Sequence, residues 1–158
     1  DLGVYITEGR DFGRLALDVG ARVDGRRLRV RDDSVLALAA QTRRFTAVTG
    51  SVGASYRLTD PLTLAMHVGR GFRAPSSSDL FANGFHEGTR AYERGDPTVD
   101  VERSLSTDVA LRWRSDRVRA EVSAYENRIN DYIYLRPFGS GGFLFDSLAV
   151  VQGDARLR

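Results

Sequence analysis

Two histidines and several carboxylates are the side chains in this sequence best suited to binding a metal ion. His86 and Glu87 are adjacent, and Asp79, Glu93 and Asp96 are near them in sequence. Imidazole and carboxylate groups suit a divalent transition metal such as zinc, but one histidine is fewer than a structural zinc site normally has. Two interpretations stay open: a loop that captures a metal, and a solvated loop whose histidine only forms local hydrogen bonds.

No pattern typical of an enzyme accompanies these residues. The glycine-rich stretch 139–142 is followed neither by a lysine nor by a predicted helix, as a phosphate-binding loop would be. Asp32 and Asp33 have no partner base or nucleophile, and no Ser, His and Asp set has a recognisable context. The sequence has no cysteine, which excludes disulfides and thiol chemistry. We therefore expect no catalytic activity and no resident cofactor, with a metal entering only as a substrate.

Amino-acid composition narrows the possible classes of protein further. All 23 basic residues are arginines, and they are mixed with 21 acidic residues along the whole chain to give a net charge of +2. A nucleic-acid-binding protein would concentrate such charges on one surface, so we expect no nucleic-acid partner. The longest apolar run, at residues 35–40, is far too short for a membrane-spanning helix, and the first ten residues do not resemble a signal peptide.

Alternation of apolar and polar residues is the main structural signal, and it predicts strands with one apolar and one polar face. In residues 14–24 the odd positions are Leu15, Leu17, Val19, Ala21 and Val23, and the even positions are Arg14, Ala16, Asp18, Gly20, Arg22 and Asp24. Residues 104–114 alternate as clearly. Further strands are predicted at 48–58, 62–69 and 118–125, with short ones near 3–8 and 148–154. The expected fold is all-β, with about seven strands.

The predicted connections are alternately short and long. The short ones are residues 9–13, 59–61 and 115–117, and the long ones are 25–44, 72–103 and 137–147. This order is typical of an antiparallel up-and-down meander in an outer-membrane β-barrel. Alternation alone does not show whether the apolar face lines a soluble core or faces lipid.

Four other side chains each have two possible roles. His67 lies on the small-residue face beside Ala65 and Gly69, where it either marks a substrate path through a lumen or fills that lumen as a polar group. Trp113, Tyr132 and Tyr134 are either ligand-binding platforms or members of the aromatic belts found at membrane interfaces.

Three ordered segments resemble TonB-dependent outer-membrane receptors. Residues 69–84 (GRGFRAPSSSDLFANG) resemble the family pattern R-x-F-R-A-P…E-L, residues 92–104 resemble G-N-P-x-L-x-P-E-x-S, and residues 125–133 (YENRINDYI) resemble F-Y-x-N-R-I-x-D-Y-I. The signature positions are Arg70, Phe72, Arg73, Ala74, Pro75, Leu80, Gly95, Pro97, Glu102, Asn127, Arg128 and Tyr132. The chain departs from the family pattern at Asp79, Asp96, Val101 and Glu126, where the family usually has Glu, Asn, Pro and an aromatic residue.

The resemblance implies a transport function. Such receptors import a metal ion or metal complex, of the zinc or iron-siderophore class, through the bacterial outer membrane with energy supplied by the TonB complex. Residues 81–87 are also similar to members thought to take up zinc. The family barrel has about 22 strands and contains a plug domain. We therefore expect residues 1–158 to be a piece of the barrel domain, without a plug or a TonB box, and with open sheet edges.

Two alternatives belong to other classes. A soluble lipocalin-like carrier would fit the chain length and would hold one small ligand inside an eight-stranded barrel. A passive porin would share the alternation and the outer-membrane location but would lack energised transport.

Overall fold

A computed structural model describes residues 1–32, 34, 39–138 and 147–158. Seven long strands form one antiparallel meander in which chain neighbours pair in order. They are β1 (Leu2–Phe12), β2 (Leu15–Val30), β3 (Gln41–Arg57), β4 (Leu62–Arg73), β7 (Glu102–Arg114), β8 (Arg119–Pro137) and β9 (Ser147–Leu157). We call these seven the wall strands. The predicted all-β meander is therefore confirmed, and so is the order of its strands.

The segment between β4 and β7 is folded, whereas the sequence predicted one long connection there. It contains helix α1 (Ser77–Phe81) and the strands β5 (Asn83–His86) and β6 (Ala91–Arg94). β6 pairs with the start of β9 in parallel, so the described sheet has nine strands and one parallel pairing. We call residues 74–101 the insert. The predicted antiparallel meander is thus observed, and the insert adds two short strands and one parallel pairing that the sequence did not indicate.

The wall strands are also longer than the alternation indicated. β2 and β3 stay paired from Leu15↔Tyr56 up to Val30↔Gln41, which shortens the predicted connection 25–44 to residues 31–40. β8 continues to Pro137 and contains a bulge at which Asp131 has a φ of 58°. The bulge interrupts strict alternation, which explains why the sequence pattern faded there. Residues 33, 35–38 and 139–146, including the predicted glycine-rich stretch, lie outside the described residues.

The two faces of the meander differ in composition. Residues opposite one another in a ladder share a face, so the pairings Val19↔Val52 and Val52↔Val68 place these three side chains together. All three are exposed, Val52 by 60%, and Val122 on β8 is 75% exposed. The opposite face bears Asp18, Arg22 and other polar and small residues. Within the described residues, the apolar face is thus uncovered.

The strands are joined by short turns at one end of the sheet, the short-turn end, and by long connections at the other, the loop end. The buried core lies at the loop end, between the sheet and the insert. It consists of Phe45, Ala74, Leu80, Phe81, Val99, Val101, Ile133 and Val150, with Leu28, Val30, Ala47 and Phe72 packed against it. Phe45, Leu28 and Ala47 share the ladder face of Arg26 and Asp24, so the insert packs on the polar face of β2 and β3. No helix among the described residues is long and apolar enough to cross a membrane.

Candidate functional site

A groove of about 480 Å³ runs along the polar face of the sheet. Tyr5, Arg22, Ser51, His67 and Ser104 are among its lining residues. Small residues keep it open: a Cβ on Gly71 would lie 2.8 Å from Oγ of Ser104, its partner across the ladder. The glycine therefore leaves room for this side chain within the groove.

Charged side chains on this face are arranged in pairs. Arg22 Nη2 lies 2.6 Å from Asp24 Oδ1, and Arg112 Nε lies 2.8 Å from Glu121 Oε2. His67 Nδ1 lies 3.9 Å from Asp108 Oδ2, and His67 also borders a second groove of about 290 Å³. His67 therefore lies on the polar face as expected, while its role in a substrate path stays a prediction.

The insert begins with a capped helical turn. Ser76 Oγ accepts a hydrogen bond from the Asp79 backbone N–H at 3.0 Å, and Asp79 Oδ2 accepts one from the Ser76 backbone N–H at 2.9 Å. This reciprocal pair is a capping box, which fixes the start of the five-residue helix. Leu80, 1% exposed, then points into the core. Asp79 is thus engaged in helix capping.

Arg73, the last residue of β4, links the insert to β7 and β8. It donates to Glu102 Oε2 from Nη2 at 3.1 Å, to Asp79 Oδ2 from Nη1 at 3.1 Å, and to the Ile133 carbonyl at 3.1 Å. Glu102, 9% exposed, also accepts from the Ile133 backbone N–H at 3.1 Å. Partial burial disfavours the charged guanidinium, but the Glu102 and Asp79 carboxylates outweigh it and raise the pKa of Arg73 above its ordinary value.

Gly95 allows the two ends of the insert to touch. A Cβ at this position would lie 2.6 Å from the Phe81 backbone nitrogen, so any larger residue would collide with the main chain of α1. The close approach is held by a hydrogen bond from Gly95 N–H to the Ala82 carbonyl at 2.8 Å, and by one from Asp96 N–H to the Asp79 carbonyl at 2.9 Å. The signature glycine thus has a packing role.

Two further side chains hold the insert against neighbouring strands. Arg43 on β3 donates to the carbonyls of Pro97 and of Val99, the latter at 3.1 Å. Gln152 on β9 donates to the Asp100 carbonyl at 2.9 Å and accepts from the Asp100 N–H at 3.0 Å. Sequence reasoning missed both, because their partners are backbone groups more than fifty residues away in the chain.

The remaining signature residues have varied local roles. Ala74 and Pro75, the first two residues of the insert, are buried. Asn127 Oδ1 accepts from Ser106 Oγ at 3.2 Å, and Arg128 pairs with Glu126. Tyr132 stacks on Tyr134 with ring centroids 6.0 Å apart. Most of the signature therefore fixes the loop end of the wall.

The predicted metal ligands are dispersed among other contacts. His86 Nδ1 lies 3.6 Å from Glu93 Oε1, and Glu93 also accepts from Thr89 Oγ1 at 2.7 Å. Asp96 Oδ1 accepts from Thr98, and Glu87 is exposed at the β5–β6 turn. No group of three or more His, Asp or Glu within the described ranges is placed to hold a metal ion. A site built from His86, Glu87, Asp79 and Asp96 stays a prediction that needs ligands from elsewhere.

Three aromatic residues lie at the short-turn end of the apolar face. The ladder places Phe12 opposite Leu15 and Leu15 opposite Tyr56, while Trp113 lies opposite Leu62 on the same face. All three aromatic side chains are exposed. This is the position that an interfacial aromatic belt would occupy.

Comparison with known proteins gives a consistent result at the level of family and fold. The model of the family described as "TonB dependent receptor-like, beta-barrel" matches residues 1–158. The vitamin B12 transporter BtuB of Vibrio vulnificus (strain YJ016) is 31% identical over 94 residues, which are 60% of this chain and 14% of that protein. The chain therefore spans only a small part of the relative's length.

Solved structures share the fold at low sequence identity. The copper transporter OprC matches 98% of this chain with a TM-score of 0.75 and 20% identity, and the chain covers 24% of it. The Serratia marcescens hemophore receptor HasR gives 0.76 and 18% over 98% of this chain and 30% of HasR. The siderophore receptor PirA of Pseudomonas aeruginosa gives 0.70 and 18%, again over 98% of this chain and 29% of PirA.

Proposed function

Because this chain belongs to the TonB-dependent receptor-like β-barrel family, we propose that it forms part of the transmembrane wall of an outer-membrane receptor importing a metal ion or metal complex. The proposal assigns the apolar face to lipid and the polar groove to the lumen. The plug and the segment that engages the TonB complex would be supplied by the rest of the receptor.

The exposed apolar face is the observation that carries this proposal. On β3 the outward positions Val48, Val52 and Tyr56 are all exposed, and they span nine residues of strand. A tilted transmembrane strand needs about 9–11 residues. In water, such a contiguous apolar surface would be an aggregation hazard, whereas in a bilayer it is the required outer surface.

A lipocalin-like carrier fits these observations poorly. Such a barrel would pack its apolar face into a closed interior and expose its polar face to water. Here the described core lies on the polar face, beneath the insert, and the apolar face is exposed. The geometry therefore favours a membrane wall over a soluble ligand carrier.

The related proteins support a metal-containing substrate. The relative is a vitamin B12 transporter, and the structural neighbours are a copper transporter, a receptor for a hemophore with its heme, and a siderophore receptor. All of these involve a metal or a metal chelator. We infer the same broad class for this receptor, and we assign His86 to substrate capture at the loop end, beside Glu93.

Uptake by cells that carry the intact gene tests the proposal. Cells with and without the gene would be supplied with radiolabelled cobalamin, a ferric siderophore, copper or zinc, with and without a protonophore. We expect gene-dependent uptake of one probe that stops when the proton gradient is dissipated. Uptake that ignores the protonophore would favour a passive porin, and gene-independent uptake of all four would contradict the proposed substrate class.

A His86→Ala variant tests the capture residue separately. With the transported probe identified, we expect weaker surface binding in this variant, with Thr89→Ala as a control that retains the imidazole. Equal binding by His86→Ala and the unmodified receptor would remove His86 from the site.

A further inference from the structure

Two pairs of arginines lie directly opposite each other across the ladders. Arg27 on β2 faces Arg44 on β3, and Arg128 on β8 faces Arg156 on β9. Like charges in directly opposed positions destabilise a sheet. An anion bound between them would remove this repulsion.

Both pairs lie on the apolar, outward face. Arg27 lies two positions after Gly25 and four after Val23 on β2, so these three residues share one face. Arg128 is four positions beyond Ala124, and Ala124 lies opposite the outward residue Val109. Counted from the short-turn end, Arg27 is the thirteenth residue of β2 and Arg128 is the tenth residue of β8. A tilted transmembrane strand needs about 9–11 residues, so both pairs lie at or beyond the level at which headgroups would begin if this face meets lipid.

The Arg128 pair belongs to a larger positive cluster. Glu126 accepts ion pairs from Arg128 Nη2 at 3.0 Å, from Arg158 Nε at 3.0 Å, and from Arg156. Three guanidinium groups against one carboxylate leave two positive charges. All three arginine side chains remain about half exposed, so they retain donors for a further partner.

Arg27 and Arg44 have even less compensation. Both are exposed, and neither forms an ion pair with an acidic side chain in the described part of the chain. Guanidinium groups recognise phosphate through two parallel hydrogen bonds, which an ammonium group does not provide. This chain uses arginine for all its basic residues.

We propose that these two arginine pairs bind phosphorylated lipid headgroups in the membrane leaflet at the loop end of the barrel. The apolar strand positions below each pair would contact the acyl chains of the same lipid. The inference rests on the proposed outward orientation of the apolar face, and it goes beyond transport by assigning a lipid partner to a surface away from the groove.

Retention of lipid by the purified whole receptor tests this inference. The receptor in neutral detergent would be mixed with a bis-phosphorylated glycolipid or its dephosphorylated form, and bound lipid would be counted by native mass spectrometry. Each arginine near an anionic lipid surface contributes about fivefold in affinity, so Arg128→Ala/Arg156→Ala should reduce retention by about 30-fold.

The matched control is Arg114→Ala/Arg119→Ala, because these arginines also oppose each other but lie at the short-turn end on the polar face. We expect it to retain lipid normally. Glu126→Gln removes the one carboxylate of the cluster and should increase retention, a gain that misfolding cannot produce. We expect 10 mM inorganic phosphate to leave retention unchanged.

Three results would overturn the inference. They are equal loss in the two double variants, equal retention of the dephosphorylated lipid, and displacement by inorganic phosphate, which would indicate a free-anion site. Failure of this inference can be distinguished from failure of the proposed membrane orientation. The orientation is tested by labelling the apolar face, and that measurement does not depend on these arginines.

Discussion

Arg73 and Glu102 are the last residue pair of the β4–β7 ladder, and their side chains meet at 3.1 Å. The ion pair closes the sheet at the point where the insert leaves β4 and returns to β7. Since Glu102 also accepts from Ile133 on β8, one carboxylate connects three strands at the mouth of the groove.

Replacing Glu102 with alanine should loosen the insert. The substitution removes the acceptor for the Ile133 N–H and the main partner of Arg73, and leaving a buried polar group without a partner costs about 1–3 kcal/mol. Hydrogen exchange of the whole receptor should show faster exchange in residues 77–101, with the lower wall strands unchanged. Glu102→Gln keeps an acceptor and should have a smaller effect, so equal effects of the two variants would contradict this role.

Replacing Gly95 with alanine should separate the two ends of the insert. The new methyl group would lie 2.6 Å from the Phe81 backbone nitrogen, and overpacking of this kind costs about 1–3 kcal/mol. Limited proteolysis should cut the variant within the insert faster than the unmodified receptor. Gly84→Ala is the control, because a Cβ at Gly84 meets no atom within 4 Å. If both variants are equally resistant, the close approach at Gly95 does not stabilise the insert.

A charge at Val52 should block assembly in the membrane. Val52 lies on the apolar face in the middle of the ladder, between Val19 and Val68. An arginine on the lipid face costs up to about 2–4 kcal/mol at the bilayer midplane, whereas an exposed surface substitution in a water-soluble protein usually changes stability by less than about 0.5 kcal/mol. The folded fraction in isolated outer membranes, measured by heat-dependent gel mobility, should fall for Val52→Arg. Ser51→Arg places the same charge on the polar face and should fold; a normal folded fraction for Val52→Arg would argue against lipid contact.

The sequence predicted the wall strands because alternation is a local signal. Leu15 to Val23 and Leu105 to Trp113 reveal their faces without knowledge of their neighbours. β5 and β6 have four residues each, too few for a clear period, and β6 finds its partner β9 more than fifty residues later. Their formation depends on tertiary pairing that local residue patterns do not encode.

The site was predictable only in part, for a related reason. The resemblance singled out Arg73, Gly95 and Glu102, but their contacts become clear only when the insert is docked on the sheet. Arg43 and Gln152 bind main-chain groups, which leave no trace in the pattern of side chains. The acidic residues Asp79 and Asp96 looked like metal ligands in sequence, and the structure shows them capping a helix and a turn.

Accessibility of two adjacent introduced cysteines tests the central claim, that the apolar face meets lipid and the polar face meets a wet lumen. The chain has no cysteine of its own, so Val52→Cys and Ser51→Cys would each give this segment a unique label. In the whole receptor in native membranes, a spin label at position 52 should collide mainly with oxygen, which is enriched in lipid. A label at position 51 should collide mainly with a water-soluble nickel chelate. The reverse pattern, or equal access of the chelate to both positions, would contradict a membrane wall.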